Sequence, residues 1–353
     1  MDKQKIIFRA DGNSAIGLGH FFRVLALADL LKEIYDCFIA IQEPDDFVKI
    51  QIGKKGIGLI QLEAFNYKKP LEKEGDEEIP FDLEKSLQGS EIVVLDGYWF
   101  GNNYQRNLKK IGCTVVYIDD VCQEYPYADV VINHALSAFA SQYKNTSAKI
   151  LAGPDYCLMR KEFLEAAQKK VLKNKFDTVF ICFGGADTEE LAFKVSSLLV
   201  TQFSDIRIVH ILNSSSYKGD IGKFAQIGIN TNKKIILHQN ISAEEIVALM
   251  TNSDFAIVSA SNSAYECVCT GLPMVTGYYV NNQIQFYNAL IQQSNIKGVG
   301  QWQKVTPEIL KLMVEKLIHE YNPNAKKIID GFQQKRFIDL FKSLKRPNAI
   351  SAL

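Results

Sequence analysis

Residues 5–33 read KIIFRADGNSAIGLGHFFRVLALADLLKE and contain the pattern that decides the fold. The segment Lys5–Ala10 is short and apolar, which is typical of a buried parallel strand. Apolar residues then recur at helical spacing, at Val24, Leu27, Ala28 and Leu31. This change of period predicts a helix over Gly19–Glu33. The stretch is therefore a strand, a glycine-rich loop and a helix, which is the opening of a βα unit.

The same alternation continues through both halves of the chain. Short segments rich in Val and Ile predict strands in the first half at Cys37–Ile41, Ile92–Asp96, Val115–Asp119 and Val130–Asn133. A second series predicts strands at Thr178–Phe183, Ile206–Leu212, Lys234–Leu237, Phe255–Ser259 and Met274–Thr276. Helices are expected near Thr188–Thr201, Ala243–Thr251 and Ser263–Thr270, and over Pro307–Leu344 with a break at Pro323. The Lys- and Glu-rich segment Asn66–Glu78 is interpreted as a solvated loop.

The length of the chain and the repeated alternation predict two domains. A chain of 353 residues is too long for one ordinary hydrophobic core. Repeated βα units predict an α/β fold with two doubly wound parallel sheets, which bind ligands at the carboxyl ends of strands and in the cleft between domains. The turn signal Gly153-Pro154 and the charged segment after it place the boundary within Gly153–Asn174. We expect an N-terminal domain over 1–155, which carries the glycine-rich loop, and a C-terminal domain over 156–353.

Composition excludes several classes of function. Forty basic and 40 acidic residues give a formal net charge of zero, which argues against a general nucleic-acid binder. No apolar run is long enough to span a bilayer, and the first residues lack the apolar core of a secretory signal. The seven cysteines are scattered without CxxC pairs, and the five histidines lack metal-ligand spacing. We expect a cytoplasmic protein with reduced thiols and no metal site.

The opening loop ends in Gly17, Leu18, Gly19 and His20. Glycines let backbone amides turn toward an anion at the start of a helix. Phe22 stands where a dinucleotide-binding fold has its third glycine, so NAD binding is disfavoured, and an ordinary strand–helix turn remains an alternative. A helix N-terminus disfavours the imidazolium form, so His20 is a candidate proton acceptor near pH 7. A histidine that only caps or packs is the alternative reading of this residue.

Two further strand-to-helix turns occur in the second half of the chain. They are Phe183-Gly184-Gly185-Ala186-Asp187-Thr188 and Ser259-Ala260-Ser261-Asn262-Ser263-Ala264-Tyr265-Glu266. Small residues with accessible amides at a helix start suit a pyrophosphate. Glu266 lies about one turn into its helix, where its carboxylate could accept hydrogen bonds from ribose hydroxyls. Helix capping is the alternative for each turn, but the pair together favours a nucleotide at the edge of one sheet.

Motifs spread over most of the chain are shared with one family. They lie at Arg9–Asn13 and Ile16–Arg23, Leu95–Tyr98, Ile118–Asp120, Gly153–Tyr156, Arg160–Phe163, Phe183–Asp187 and Ser259–Gln283. In these segments the chain resembles the PseG-type UDP-sugar hydrolases and the related MurG-like nucleotide-sugar enzymes, although Gly97 stands where a histidine is frequent. The resemblance implies a GT-B-like fold, in which two Rossmann-like doubly wound domains face a cleft and the last helix often crosses back to the first domain.

The resemblance also implies roles for individual residues. His20 is implied as the catalytic base, and Tyr98 as an active-site tyrosine. Substrate contacts are expected in the opening motif, at Arg9, Asp11, Gly17 and Gly19. UDP contacts are expected at Gly184, Gly185, Leu237, His238, Ser261, Asn262, Ser263 and Glu266. Among these, Glu266 is implied for the ribose, and backbone groups near Leu237 and His238 for the uracil.

The implied activity is hydrolysis of a UDP-2,4-diacetamido-2,4,6-trideoxy hexose of altrose configuration, in pseudaminic acid biosynthesis. Water would attack the anomeric carbon. No cofactor or metal is expected, because helix N-termini and oriented amides can stabilise the departing UDP. The expected partner is a small UDP-sugar, with no nucleic acid, membrane or obligate protein partner. A MurG-like UDP-sugar glycosyltransferase is the alternative enzyme, and a non-catalytic nucleotide-sugar-binding protein is the other alternative.

Overall fold

The computed structural model describes residues 3–12, 17–64, 79–144, 146–169, 172–173, 175–184, 187, 190–213, 217 and 219–344. The predicted loop Asn66–Glu78, Gly185 and the start of the helix predicted from Thr188 lie outside these ranges. The chain divides into two compact units. The first unit is Met1–Lys161 with Phe332–Leu353, and the second unit is Glu162–Gly331.

The first unit is built on a parallel sheet. Its strands are β1 Lys5–Ala10, β2 Asp36–Gln42, β3 Gly58–Leu62, β4 Ile92–Asp96, β5 Thr114–Ile118, β6 Val130–Asn133 and β7 Lys149–Ala152. Over the residues described, the strand order is β3-β2-β1-β4-β5-β6-β7. The helices of this unit are α1 Gly19–Leu31, α2 Asp46–Lys54, α3 Asn102–Ile111 and, from the end of the chain, α11 Gln333–Ser343. Strands β4, β5 and β6 are buried along their whole length, which explains their continuous apolar sequences.

The second unit contains another parallel sheet. Its strands are β8 Thr178–Cys182, β9 Ile208–Asn213, β10 Lys234–Gln239, β11 Phe255–Ser259, β12 Met274–Tyr278 and β13 Ile296–Gln301. Their order in the described part of the chain is β10-β9-β8-β11-β12-β13. The helices are α4 Lys161–Ala167, which begins at the last residue of the first unit, α5 Leu191–Gln202, α6 Gly222–Thr231, α7 Ala243–Asn252, α8 Asn262–Thr270, α9 Ile284–Leu290 and α10 Pro307–His319. The predicted α/β class with two parallel sheets is confirmed.

Each sheet reverses its strand order at one point, and such a point creates a ligand-binding crevice at the carboxyl ends of the strands. In the first unit the order reverses between β1 and β4, where Ala10 pairs with Asp96. In the second unit it reverses between β8 and β11, where Cys182 pairs with Val258. The loops that follow these strands contain the predicted site residues His20, Gly184 and Ser261. The topology therefore places both sets of candidates where parallel sheets bind ligands.

Strands β3, β7 and β13 were missed in the sequence, and the domain limits also differ. Strand β3 alternates between exposed and half-buried positions, because it is an edge strand, and β13 contains two glycines. The division lies after Lys161 rather than after residue 155. Helix α11, assigned from the sequence to the C-terminal domain with a possible crossing back, belongs to the first unit. Its buried Phe337 and Phe341 and a 3.1 Å hydrogen bond from Gln334 Nε2 to the Leu30 carbonyl hold it beside α1.

Candidate active site

His20 lies in the first turn of α1, next to the end of β4. Because β1 and β4 are paired neighbours, the helix that follows β1 begins beside Asp96. The His20 Nδ1 atom is 2.7 Å from Asp96 Oδ1, and the His20 side chain is 12% exposed whereas Asp96 is fully buried. A carboxylate on one ring nitrogen fixes the orientation and tautomer of a histidine. In the tautomer with Nδ1–H, this nitrogen donates to Asp96 and the lone pair of the imidazole is on Nε2, whereas in the other tautomer Nδ1 accepts from Arg23 Nη2, 2.7 Å away.

Arg23, one turn further along α1, connects His20 to two carboxylates. Its guanidinium donates to both oxygens of Asp96, with Nε 2.9 Å from Oδ2 and Nη2 2.6 Å from Oδ1, and Nη2 is also 2.7 Å from His20 Nδ1. The third nitrogen, Nη1, donates to Asp120 Oδ2 at 2.9 Å. Burial alone would lower the pKa of Arg23, but the charges of Asp96 and Asp120 raise it overall. Arg23 is therefore a permanent cation held between two carboxylates.

Tyr98 and Asp120 form the side of the pocket next to Arg23. The Tyr98 hydroxyl donates to Asp120 Oδ2 at 3.1 Å, and the Tyr98 ring meets the His20 ring edge-on with centroids 5.0 Å apart. Burial and the charge of Asp120 raise the pKa of Tyr98. Burial raises the pKa of Asp120, but the Arg23 charge and the hydrogen bonds from Arg23 and Tyr98 lower it overall. At neutral pH Tyr98 is a phenol, and Asp120 is a carboxylate.

The pocket lies at the carboxyl ends of β4 and β5 and the start of α1. Its lining includes His20, Arg23, Asp96, Tyr98 and Asp120. Gly97 also lines it and has a φ of +156°, and a Cβ at this position would lie 3.0 Å from the Phe100 ring. A side chain at position 97 would therefore be strained, which favours glycine in this chain.

Asp119, next to Asp120 in the sequence, supports the pocket wall from within. It is buried, and its two oxygens accept the backbone N–H groups of Val121 and Cys122, both at 2.9 Å, and the hydroxyls of Tyr125 and Tyr143. A carboxylate that accepts four hydrogen bonds is fully satisfied. Asp119 thus fixes the loop that carries Asp120 after β5.

Arg9 and Asp11, predicted as substrate contacts, lie in the interior of the first unit. Arg9 is fully buried, with Nη1 2.7 Å from Asp11 Oδ1 and Nη2 2.9 Å from Asp82 Oδ2. The Tyr104 hydroxyl donates to Asp82 at 2.6 Å, and Asp11 accepts the backbone N–H of Gln42 at 2.9 Å. These contacts give the two residues a structural role in the core, and neither residue lines the pocket beside His20.

The other predicted substrate contacts, Gly17 and Gly19, flank the start of α1. Gly17 has a φ of +84°, in the left-handed region that favours glycine. Among the described residues other than the chain neighbours, no atom lies within 4 Å of the position that a Cβ would take at either glycine. The backbone beside His20 is therefore open in the part of the loop that the structure describes.

The predicted diphosphate turns of the second unit lie at the carboxyl ends of two paired strands. Gly184, with a φ of +95°, follows β8, and the Ser261–Ser263 turn, which includes Asn262, follows β11. The Ser261 hydroxyl is 2.9 Å from the Ser259 hydroxyl and 3.1 Å from the Ser263 hydroxyl. Groups of Gly184 and Ser263 lie beside the Cys182 thiol and lower its pKa, although burial raises it overall, and β8 pairs with β11, so the structure brings the two turns together.

Glu266 and His238 lie at different places in the second unit. Glu266 is buried on α8, near Cys182 and so near both turns. Leu237 and His238 lie on β10, an edge strand that β9 separates from β8. His238 Nε2 is 3.0 Å from His210 Nδ1, and burial lowers the pKa of both histidines. The structure therefore places the predicted uracil contacts two strands away from the Gly184 turn and three strands away from the Ser261–Ser263 turn.

Sequence reasoning assigned no role to three charged groups of the pocket, although it quoted the motifs that contain them. Arg23 lies at helical spacing from His20, and Asp96 and Asp120 end or follow buried strands. A charged residue at the carboxyl end of an apolar strand was the signal that could have found both aspartates.

Comparison with known proteins gives distant but extensive similarities. No family model matches the chain. The chain is 22% identical over 302 residues to an uncharacterized protein, MJ1062, of Methanocaldococcus jannaschii, covering 82% of this chain and 58% of that protein. It is 27% identical over 285 residues to the UDP-2,4-diacetamido-2,4,6-trideoxy-beta-L-altropyranose hydrolase of Campylobacter jejuni, covering 79% of this chain and 93% of the hydrolase. It is 25% identical over 356 residues to the spore coat polysaccharide biosynthesis protein SpsG of Bacillus subtilis, covering 91% of this chain and 93% of SpsG.

Solved structures share the fold. MurG of Acinetobacter baumannii superimposes with a TM-score of 0.62 at 14% identity, over 97% of this chain and all of that chain. MnaA of S. aureus, solved with UDP, superimposes with a TM-score of 0.57 at 12% identity, over 96% of each chain. The predicted GT-B-like class and the predicted resemblance to the PseG-type hydrolase are both confirmed. Within the residues that the structure describes, no helix is long and apolar enough to cross a bilayer.

Proposed function

We propose that the protein hydrolyses a UDP-sugar, releasing UDP and the free sugar, with His20 as the base that activates water. The observation that carries this proposal is the His20–Asp96 pair, 2.7 Å apart at the wall of a pocket. A carboxylate that holds Nδ1–H leaves Nε2 as the proton acceptor, which is the arrangement that a general base needs.

The chemistry follows from that geometry. His20 Nε2 takes a proton from a water molecule, and the water oxygen attacks the anomeric carbon of the sugar. The bond between this carbon and the diphosphate oxygen breaks, and its electron pair stays on UDP. Nucleophilic attack by a protein group is not needed, and Tyr98 remains protonated because its pKa is raised by burial and by Asp120.

The nucleotide is assigned to the second unit. Its paired turns at Gly184 and Ser261–Ser263 present backbone amides and hydroxyls, which are suited to a diphosphate. Glu266, buried close to the turns, is assigned to the ribose hydroxyls. The S. aureus protein of similar fold was solved with UDP, which supports this class of ligand.

The substrate is proposed to be a UDP-2,4-diacetamido-2,4,6-trideoxy sugar of altrose configuration. Support comes from the 27% identity to the Campylobacter jejuni hydrolase, named for that substrate, over 93% of its length. This reaction would belong to pseudaminic acid biosynthesis, in the cytoplasm. Neither a metal nor a cofactor is assigned a step, because His20 and the amides of the second unit supply the base and the anion-binding groups.

The test is an incubation of the full chain with the UDP-diacetamido sugar and no acceptor. Phosphorus NMR should show free UDP, and proton NMR should show the released sugar. UDP-N-acetylglucosamine is the matched control for recognition of the sugar, and GDP-linked sugars are the matched controls for recognition of the nucleobase. UDP release that requires an added sugar or lipid acceptor would identify a glycosyltransferase, and a ligand that stays intact after long incubation would identify a binding protein.

A further inference from the structure

We propose that Asp120 is a second catalytic residue, whose carboxylate stabilises positive charge on the sugar ring while the bond to the diphosphate breaks. This inference rests on the proposed hydrolase function and adds a group that the sequence did not assign.

Three aspartates lie at the ends of β4 and β5, and their surroundings differ. Asp96 is fully buried, and both of its oxygens accept hydrogen bonds from Arg23. Asp119 is also buried, with four donors on its two oxygens. The Asp120 side chain is 29% exposed at the pocket, and both Arg23 and Tyr98 donate to its Oδ2. Among the described residues, none donates to Asp120 Oδ1, so this oxygen can act on a substrate.

The charges around Asp120 keep it ionised and leave the pocket negative. Arg23 bears one positive charge and bridges two carboxylates, so it balances only one of Asp96 and Asp120. The formal charges of Arg23, Asp96 and Asp120 add up to one negative. Such a site repels a diphosphate and attracts a cation, and the attraction is stronger in a partly buried pocket than in water.

The reaction creates such a cation. When the bond between the anomeric carbon and the diphosphate oxygen lengthens, its electron pair moves to UDP and positive charge develops on the anomeric carbon and ring oxygen. Asp120 forms no covalent bond and exchanges no proton in this step. Water supplies the new bond to the anomeric carbon, and its proton goes to His20. An ionised carboxylate beside a sugar carbon performs the same electrostatic role in glycosidases.

The first experiment compares the kinetics of two Asp120 variants with the wild type. Asp120→Asn keeps an oxygen that can accept from Arg23 and Tyr98 but removes the charge, so kcat should fall by about 10²-fold. The Kd for UDP should change by less than about threefold, because the nucleotide is assigned to the second unit. Asp120→Glu keeps the charge and should retain at least about tenfold more activity than the Asn variant. Circular dichroism and thermal melting verify folding.

The second experiment separates charge from packing. Asp120→Ala leaves room for a small carboxylate, so sodium formate should raise its kcat by at least about tenfold, whereas sodium chloride at equal ionic strength should not. This variant also supplies the test if Asp120→Asn does not fold.

The outcomes distinguish the two proposals. A wild-type protein that releases no UDP overturns the hydrolase function and with it the role of Asp120. An active wild type with an Asn variant within about threefold of its kcat overturns the role of Asp120 alone. Equal losses in the Asn and Glu variants, without recovery by formate, would also overturn it, because packing rather than charge would then explain the loss.

Discussion

The carboxyl edges of the two sheets share a topology but differ in chemistry. Each edge lies at a reversal of strand order, between β1 and β4 or between β8 and β11. The first edge holds ionisable groups in direct contact, with His20, Arg23, Asp96 and Asp120 joined by hydrogen bonds of 2.6–2.9 Å. The second edge holds glycine and a row of serine hydroxyls. Under the proposed function, this difference corresponds to a division of tasks, with proton chemistry in the first unit and anion binding in the second.

The largest expected effect tests the chemical role of the first edge. His20→Gln should lower kcat by about 10²–10⁴-fold, because general-base assistance is lost, while the Kd for UDP stays nearly constant. Steady-state assays of UDP release and calorimetric titration of UDP measure the two quantities. His319→Gln, at the exposed end of α10, is the control and should behave as wild type. A His20→Gln variant with wild-type kcat would remove the proposed base and the comparison built on it.

The next effect is a pH dependence of stability that also arises at the first edge. Burial and the nearby Arg23 charge lower the pKa of His134 to about 4, although the carboxylates of Asp96 and Asp120 oppose the shift. Between the unfolded pKa of about 6.5 and about pH 4, the unfolded chain binds more protons, so stability falls as the pH falls through this window. The contribution of this one histidine is about 3 kcal/mol at full effect.

Urea unfolding between pH 4 and 7 measures this contribution. The wild type should lose stability more steeply toward pH 4 than His134→Gln, which has no proton to take up at this position. His319→Gln serves as the control and should follow the wild type. If the free energy of unfolding changes with pH in parallel for the wild type and His134→Gln, His134 is not held neutral at the first edge.

A smaller effect tests the binding role of the second edge. Glu266→Gln should raise the Kd for UDP by about tenfold and leave kcat within about threefold, because a charge-assisted hydrogen bond to the ribose becomes a neutral one. Calorimetry on the folded variant gives the Kd. Glu315→Gln, in an exposed ion pair with Lys311 on α10, is the matched control. A lower kcat with unchanged Kd would instead assign Glu266 to the chemical step.

The smallest effect concerns Tyr98. Its hydroxyl donates to Asp120, and its pKa is raised, so we predict a supporting role and a loss of less than about tenfold in kcat for Tyr98→Phe. The wild-type rate should also show no change from phenol ionisation up to about pH 10, the ordinary pKa of tyrosine. Tyr127→Phe, which loses a contact with Arg106, is the control. A loss above 10³-fold would make the Tyr98 hydroxyl a catalytic group.

The sequence was informative where local patterns decide the structure. Buried parallel strands such as Ile92–Asp96 are recognisable from an unbroken run of apolar residues that ends in one charged residue. The change to helical spacing after Gly19 located the helix that contains His20. The two turns of the second unit were also predicted next to the strands that the structure pairs. Half-exposed edge strands such as β3 lack that signal, because only one of their faces is apolar.

Contacts between distant residues could not be inferred from local patterns. Arg23 meets Asp96 73 residues later and Asp120 97 residues later, so no motif spacing shows this network. Arg9 is a second example. Its predicted role as a substrate contact followed from the family resemblance, whereas its hydrogen bond to Asp82, also 73 residues away, places it in the core. The side chains of a pocket can be proposed from strand ends, but their hydrogen-bond partners require the fold.

The packing of α11 beside α1 has a consequence for the order in which the chain can fold during synthesis. The second unit, Glu162–Gly331, is continuous and can collapse as soon as it leaves the ribosome. The first unit is complete only after α11 has been made, since the hydrogen bond from Gln334 to Leu30 joins residues 304 positions apart. Until α11 is made, the apolar residues of α1 that pack against it remain exposed. The segment between the two helices is long, so this contact forms slowly and the exposed residues can aggregate.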